Sequence, residues 1–137
     1  MLVNLKEILA PAYEKHYAVG SFNCYSYETF RGCIAAGEEM GAPVIAAFGA
    51  AYLANMSLET AHAIAASLAR EADVPVCLHL DHCSEVDVIC RAIKAGFGSV
   101  MYDGSALPFA ENVANTRAVC RAAHACGVSV EAELGSL

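Results

Sequence analysis

The chain is poor in basic residues. Only 8 of its 137 residues are lysine or arginine, against 15 aspartates and glutamates, and the formal net charge is -7 at pH 7. A nucleic-acid-binding surface needs a basic stripe that neutralises phosphates, and this composition disfavours one. The sequence therefore predicts a small molecule or another protein as partner, and no binding to nucleic acid.

Segments that direct a chain to a membrane are also missing from the sequence. The first ten residues, MLVNLKEILA, place Lys6 and Glu7 inside the apolar stretch and have no basic segment before it, so they do not resemble a signal peptide. The longest apolar run, residues 42–54, is too short to span a bilayer and is interrupted by Gly49. We therefore expect a soluble protein with no membrane partner.

The seven cysteines show no pattern of a disulfide framework or a zinc finger. They are odd in number, scattered, and surrounded mostly by apolar residues. Such cysteines are typical of reduced, buried thiols in a reducing compartment. The sequence therefore predicts a cytoplasmic protein.

What the sequence does contain is an alternation of short β-prone runs and capped helices. Hydrophobic residues make up 57% of the chain, enough for a sizeable core. Ser26, Ser57 and Ser84 are predicted helix N-caps, and a first helix over residues 4–14 places Leu5 and Leu9 on one buried stripe. The predicted strands cover residues 18–23, 43–47, 76–80, 99–102 and 128–133.

Strands that are joined by helices run parallel, which predicts an α/β fold. Polar residues follow the predicted strands, as they do at the carboxyl-end rim of a (β/α)8 barrel. The glycine fingerprint GxGxxG of a dinucleotide-binding sheet is absent. These observations favour a (β/α)8 TIM barrel over a doubly wound sheet. A full barrel needs about 250 residues, so the chain represents only its first four to five β/α units.

The densest group of reactive side chains is the segment LHLDHC, where a buried strand gives way to a helix. A neutral imidazole such as that of His82 is a good zinc ligand, and a carboxylate such as Asp81 can move protons. His79, in mid-strand, is interpreted as a hydrogen-bonded core histidine rather than a ligand. Cys83 is interpreted as a packing residue rather than a zinc thiolate.

Two further carboxylate groups follow later strands. Asp103 ends the fourth predicted strand, where it either supports the turn at Ser105 or serves the site. Glu131 and Glu133 lie on the same side of the fifth strand. In an open sheet that side is usually solvated, whereas in a barrel it faces the interior, where paired carboxylates need a cation or protons.

Three segments together resemble the class II aldolases that cleave fructose or tagatose bisphosphate. They are LHLDHC, SVMYDGSALPFAENVANT and GVSVEAELG, and they occur in the order and spacing of that family. The similarity runs from about residue 18 to the last residue. It implies that residues 1–137 form a single domain, the N-terminal half of an aldolase-type barrel.

The resemblance also implies roles for individual residues. His82 would be a ligand of the catalytic Zn²⁺, and Asp81 would be the acid/base that moves the proton of the substrate's C4 hydroxyl. Asp103 and Glu133 match positions linked to a second or alternative metal site, for a divalent or a monovalent cation. Asn23, in GSFN, matches an asparagine that contacts the substrate.

The implied function is that of a metal-dependent aldolase of glycolysis, acting in a homo-oligomer on a small phosphorylated sugar. It would cleave a ketose bisphosphate, such as fructose 1,6-bisphosphate or tagatose 1,6-bisphosphate, to dihydroxyacetone phosphate and an aldehyde. Ser26, Gly49 and Ala106 depart from residue types common in the family, which leaves the substrate open.

Two alternatives stand beside this interpretation. In the family, a GG pair and two further zinc histidines follow the stretch that ends at residue 137, so we expect the chain alone to bind zinc weakly and to be inactive. It would then be a half-barrel fragment that needs a second chain. The other alternative is a different metal-dependent TIM-barrel enzyme with the same rim carboxylates, because a fold does not fix a function.

Overall fold

A computed structural model describes residues 1–135 of the chain. Its strands form one sheet in the order β1-β2-β3-β4-β5, and every neighbouring pair is parallel, which confirms the predicted α/β architecture. The strands are β1 (Ser21–Asn23), β2 (Val44–Gly49), β3 (Val76–Cys83), β4 (Ser99–Tyr102) and β5 (Ser129–Ala132). The helices are α1 (Leu5–Lys15), α2 (Tyr27–Met40), α3 (Leu58–Glu71), α4 (Val86–Ala95) and α5 (Phe109–Ala125). None of these helices has the length and apolarity that crossing a bilayer requires.

Two of the three predicted serine caps are present. The hydroxyl of Ser26 accepts a hydrogen bond from the amide of Thr29 at 3.3 Å, and that of Ser57 accepts one from Thr60 at 3.1 Å. The prediction for Ser84 is wrong, because α4 begins only after Glu85 and no side chain caps it. The cause is β3, which stays paired through Cys83 and so delays the start of the helix.

The first two strands of the sheet begin later along the chain than predicted. Residues 18–20 lie outside β1, whose pairing with β2 begins at Ser21, opposite Ile45. The prediction that the second strand includes Pro43 is wrong: β2 starts at Val44, because proline has no amide proton to donate to a neighbouring strand. A short 3-10 helix, Ala50–Ala54, follows β2 and was not predicted.

The outer face of the sheet packs against the helices and forms the main core. It carries alternate residues of the strands, among them Leu78 and Leu80 of β3, which are fully buried. The ring of Phe48 lies 6.4 Å from that of Phe97 in an edge-to-face arrangement. The other face, which we call the inner face, carries Cys77, His79 and Asp81 on β3, because side chains alternate along a strand.

Helix α1 covers the inner face at the start of the strands. Its Leu5 and Ile8 pack against Ile45 and Cys77 in a second, smaller core. The amide nitrogen of the Asn4 side chain donates to the carbonyl of Gly127 at 3.3 Å, and the backbone amide of Lys6 donates to the Ser129 hydroxyl at 3.2 Å. The predicted burial of Leu9 is wrong, since this residue is 41% exposed and borders a cavity on the inner face.

Gly98, just before β4, should not tolerate a side chain. A Cβ there would lie 2.5 Å from the carbonyl oxygen of Val3, and because that atom is backbone it cannot turn away. We predict that Gly98→Ala lowers the free energy of unfolding by about 1–3 kcal/mol in urea titrations.

The matched control for this change is Gly32→Ala in α2, where a Cβ meets nothing within 4 Å. Alanine there should raise the free energy of unfolding by about 0.5–1 kcal/mol, because glycine is unfavourable inside a helix. Equal effects of the two substitutions would contradict the packing of the N-terminal segment on β4.

Candidate active site

A one-residue bulge in β3 shapes the carboxyl end of the sheet. Leu80 pairs with Val100 and Cys83 pairs with Tyr102, so three steps along β3 oppose two steps along β4. The extra residue is accommodated at His82, whose φ is 47°, a left-handed conformation that is uncommon outside glycine. In a regular strand, Asp81 and His82 would face opposite sides. The bulge brings His82 to the rim on the inner side, next to the groups that follow β4 and β5.

His82 lies between two carboxylates from these neighbouring strand ends. Its Nδ1 is 3.1 Å from Oδ2 of Asp103 and 3.8 Å from Oε2 of Glu133. One ligand atom from each of the three residues lies within 4.8 Å of the others. The imidazole is the more accessible partner, with 62% of its side chain exposed, whereas the carboxylates are 25% and 20% exposed.

The charges of this group are coupled. The hydrogen bond to Asp103 raises the pKa of His82, and the nearby carboxylates add to that effect. Hydrogen bonds from the Ser105 hydroxyl and from His82 lower the pKa of Asp103. Asp103 is therefore ionised at neutral pH, and His82 holds a proton to a higher pH than an ordinary histidine does.

Neighbouring residues hold the carboxylate of Asp103 and the backbone of Glu133 in place. Ser105 donates to Oδ1 of Asp103 through its hydroxyl at 2.6 Å and through its amide at 3.1 Å. Asn112, 4% exposed on α5, donates to the backbone carbonyl of Glu133 at 2.8 Å. The sequence left open whether Asp103 supports the turn at Ser105 or serves the site, and the structure shows it in both contacts. Sequence reasoning missed Asn112, because an asparagine on a helix usually faces solvent.

A second group lies deeper on the inner face, around His79. Its Nε2 is 3.3 Å from Oε2 of Glu131 and 3.8 Å from Oδ1 of Asp81. Burial raises the pKa of Glu131, and the charge of Asp81 raises it further. The sequence does indicate that His79 and Asp81 lie together, because residues spaced i, i+2 share one face of a strand.

The remaining predicted residues lie apart from these groups. Asn23 ends β1 and pairs with Ala47 of β2, so β2 lies between Asn23 and β3. Within residues 1–135 no hydrogen bond or ion pair joins Asn23 to Asp81 or His82. Cys83 is buried in the outer core, its thiol donates to the carbonyl of Glu85 at 3.5 Å, and burial raises its pKa. Cys83 is thus a packing residue.

The donor set of His82, Asp103 and Glu133 fits a divalent cation. One imidazole nitrogen and two carboxylate oxygens are ligands that zinc and other divalent ions accept. The carboxylates already converge on the imidazole nitrogen, so a cation would replace a proton there with little rearrangement.

Comparison with known proteins agrees with this geometry. Residues 3–137 match the family model described as Fructose-bisphosphate aldolase class-II. The sulfofructosephosphate aldolase of Alkalicoccus urumqiensis is 39% identical over 132 residues, which cover 96% of this chain and 46% of that protein. The fructose-bisphosphate aldolase of Thermus caldophilus is 45% identical over 139 residues, covering 100% and 45%.

Solved structures show the same fold. The YdjI aldolase of Escherichia coli K12 superposes with a TM-score of 0.93 at 38% identity, covering 98% of this chain and 51% of that one. The five strands and their helices are thus part of a TIM barrel, as predicted, and the chain spans about half the length of the curated relatives it matches. With its match over nearly all residues and the rim carboxylates in place, the chain belongs to the class II fructose-bisphosphate aldolase family.

Proposed function

We propose that this chain supplies the proton-transfer residue and part of the metal site of an aldolase that cleaves a ketose bisphosphate. The single observation that carries the proposal is the β3 bulge, which gathers His82 with Asp103 and Glu133 above Asp81. Membership of the aldolase family favours this reaction over that of an unrelated metal-dependent barrel enzyme. Because the chain spans about half of its relatives, the rest of the site would come from sequence beyond the matched half.

We propose His82 as a ligand of a catalytic Zn²⁺, with Asp103 and Glu133 holding a second or alternative cation, divalent or monovalent. A bound divalent ion would supply Lewis-acid stabilisation of the negative charge that develops on the ketose during cleavage. The two positions would be adjacent, because Nδ1 of His82 lies 3.1 Å from Oδ2 of Asp103. The hydrogen bonds from Ser105 would keep the Asp103 carboxylate oriented, and the bond from Asn112 would fix the backbone position of Glu133.

We propose Asp81 as the acid/base. Its carboxylate would accept the proton of the C4 hydroxyl while the C3–C4 bond breaks, so that C4 becomes the aldehyde carbonyl. The electron pair of the broken bond would stay on the ketose fragment, and protonation at C3 would complete dihydroxyacetone phosphate. Asp81 suits this role because it is only partly buried on the inner face, beside the mouth and next to His82.

The substrate we propose is fructose 1,6-bisphosphate or tagatose 1,6-bisphosphate, with Asn23 in contact with it. The relative from Alkalicoccus urumqiensis is named for a sulfofructose phosphate, which adds a sulfonated ketose phosphate to the substrates worth testing. A cytoplasmic location is supported by seven cysteines that are all free thiols. A homo-oligomeric state, and folding of residues 1–137 as a single domain, also remain proposals.

Metal binding is tested by calorimetric titration of the chain with Zn²⁺. We predict that His82→Ala weakens binding at least about tenfold, since loss of an outer-shell partner alone typically costs that much. Affinity should also fall as the pH is lowered, because protons compete for His82, and the fall should begin above the pH range of an ordinary histidine. His124→Ala, at an exposed histidine of α5, is the control and should bind as the unchanged chain does.

The acid/base role is tested in a chimaera in which residues 1–137 replace the matching half of the Thermus caldophilus aldolase. We expect the chimaera to cleave fructose 1,6-bisphosphate and Asp81→Asn to lower its kcat by about 10²–10⁴, the usual contribution of a general acid/base. Asp87→Asn, at an exposed aspartate in the first turn of α4, should leave kcat unchanged.

The chain by itself should give no turnover, because in this proposal the other zinc ligands lie outside it. EDTA-sensitive cleavage by the isolated chain would contradict that division of the site. A chimaera that folds, binds Zn²⁺ and cleaves none of the three ketose phosphates would contradict the proposed function.

A further inference from the structure

His79 is a buried imidazole whose two nitrogens have different surroundings. The residue is 2% exposed, and its Nδ1 lies 2.9 Å from the hydroxyl oxygen of Ser99, which is directly opposite on β4. Its Nε2 is buried and forms no hydrogen bond of good geometry to any residue in the described part of the chain. A buried polar atom without a partner is costly, so the direction in which Nε2 points calls for an explanation.

Nε2 points toward two carboxylates at the edge of a cavity on the inner face. Oε2 of Glu131 is 3.3 Å away and Oδ1 of Asp81 is 3.8 Å away, and both residues line the cavity of about 380 Å³ together with Leu5 of α1. Ionised carboxylates only accept hydrogen bonds. Burial lowers the pKa of His79 to about 4, so at neutral pH the ring carries one proton.

We propose that His79 is a positioning residue: its single proton lies on Nε2, which faces the carboxylates of Glu131 and Asp81, while Nδ1 accepts the hydroxyl proton of Ser99. The positive end of this N–H then attracts the Asp81 carboxylate across 3.8 Å and favours one rotamer of Asp81 beside the mouth of the site. The catalytic use of the oriented Asp81 carboxylate rests on the proposed aldolase function, whereas its orientation by His79 does not.

The opposite tautomer fits these surroundings less well. With the proton on Nδ1, the lone pair of Nε2 would face the carboxylates of Glu131 and Asp81. These three hydrogen-bond acceptors would then have no proton between them, and their negative charges would repel one another. With the proton on Nε2, the positive end of the N–H dipole lies between the two carboxylates and reduces their repulsion. The Ser99 hydroxyl can either donate or accept, so it follows whichever tautomer the carboxylates impose.

The proposal is tested by NMR on the ¹⁵N,¹³C-labelled chain at neutral pH. Long-range ¹H–¹⁵N spectra should show a protonated Nε2 and an unprotonated Nδ1 for His79. Three-bond couplings to Cγ of Asp81 should report a single χ1 rotamer. His79→Gln and His79→Asn form the matched pair, because the glutamine amide can reach the position of Nε2 and donate there, whereas the shorter asparagine reaches only that of Nδ1.

We expect the single Asp81 rotamer to persist in His79→Gln and to be lost to rotamer averaging in His79→Asn. Ser99→Ala, which keeps the imidazole, should shift the Nδ1 resonance and serves if the asparagine variant does not fold. A proton on Nδ1 in the unchanged chain, an unaltered Asp81 rotamer in His79→Asn, or an unshifted Nδ1 resonance in Ser99→Ala would each overturn the proposal. Failure of Asp81→Asn to affect cleavage would instead remove the proposed catalytic role and leave the assigned tautomer of His79 and the single rotamer of Asp81 standing.

Discussion

Two adjacent residues of a strand cannot serve one site unless the strand is interrupted, and the site of this chain depends on that constraint. Asp81 and His82 are consecutive, so in a regular strand their side chains would point to opposite faces. The extra residue in β3, with His82 in the left-handed region, brings the imidazole to Asp103 while Asp81 stays on the inner face. The pairing of β3 with β4 resumes at Cys83, so the distortion is confined between two regular stretches. The surrounding ladder therefore maintains a backbone geometry that an isolated segment would rarely adopt.

The charge at this rim is unusual for a site that would receive a phosphorylated sugar. In the described residues it gathers four carboxylates: Asp103 and Glu133 lie beside the exposed His82, and Asp81 and Glu131 lie beside the buried His79. An anionic substrate would be repelled by such a surface. A bound divalent cation would offset part of this negative charge, so in the proposed function the metal would weaken the repulsion of an anionic substrate.

The order of the elements and the parallel sheet could be predicted from the sequence, because apolar periodicity, serine caps and glycine stops are local signals. Ser26 and Ser57 cap their helices as expected, whereas Ser84 does not, since the strand before it continues through a bulge that no local pattern announces. The convergence of His82, Asp103 and Glu133 could be suspected from their places after strands. The contact of His79 with Glu131 and the bond from Asn112 to Glu133 could not, because they depend on the packing of elements distant in sequence.

Helix α1 links the beginning of the chain to its last strand. It rests on Ile45 and Cys77 of the central strands, yet its first turn is bound to Gly127 and Ser129, more than 120 residues later. During synthesis this helix is made before β5, so its hydrogen bonds to Gly127 and Ser129 can form only after more than 120 further residues have been added. The packing of the helix is therefore completed by a contact of long sequence separation, and so is the wall that it contributes to the cavity.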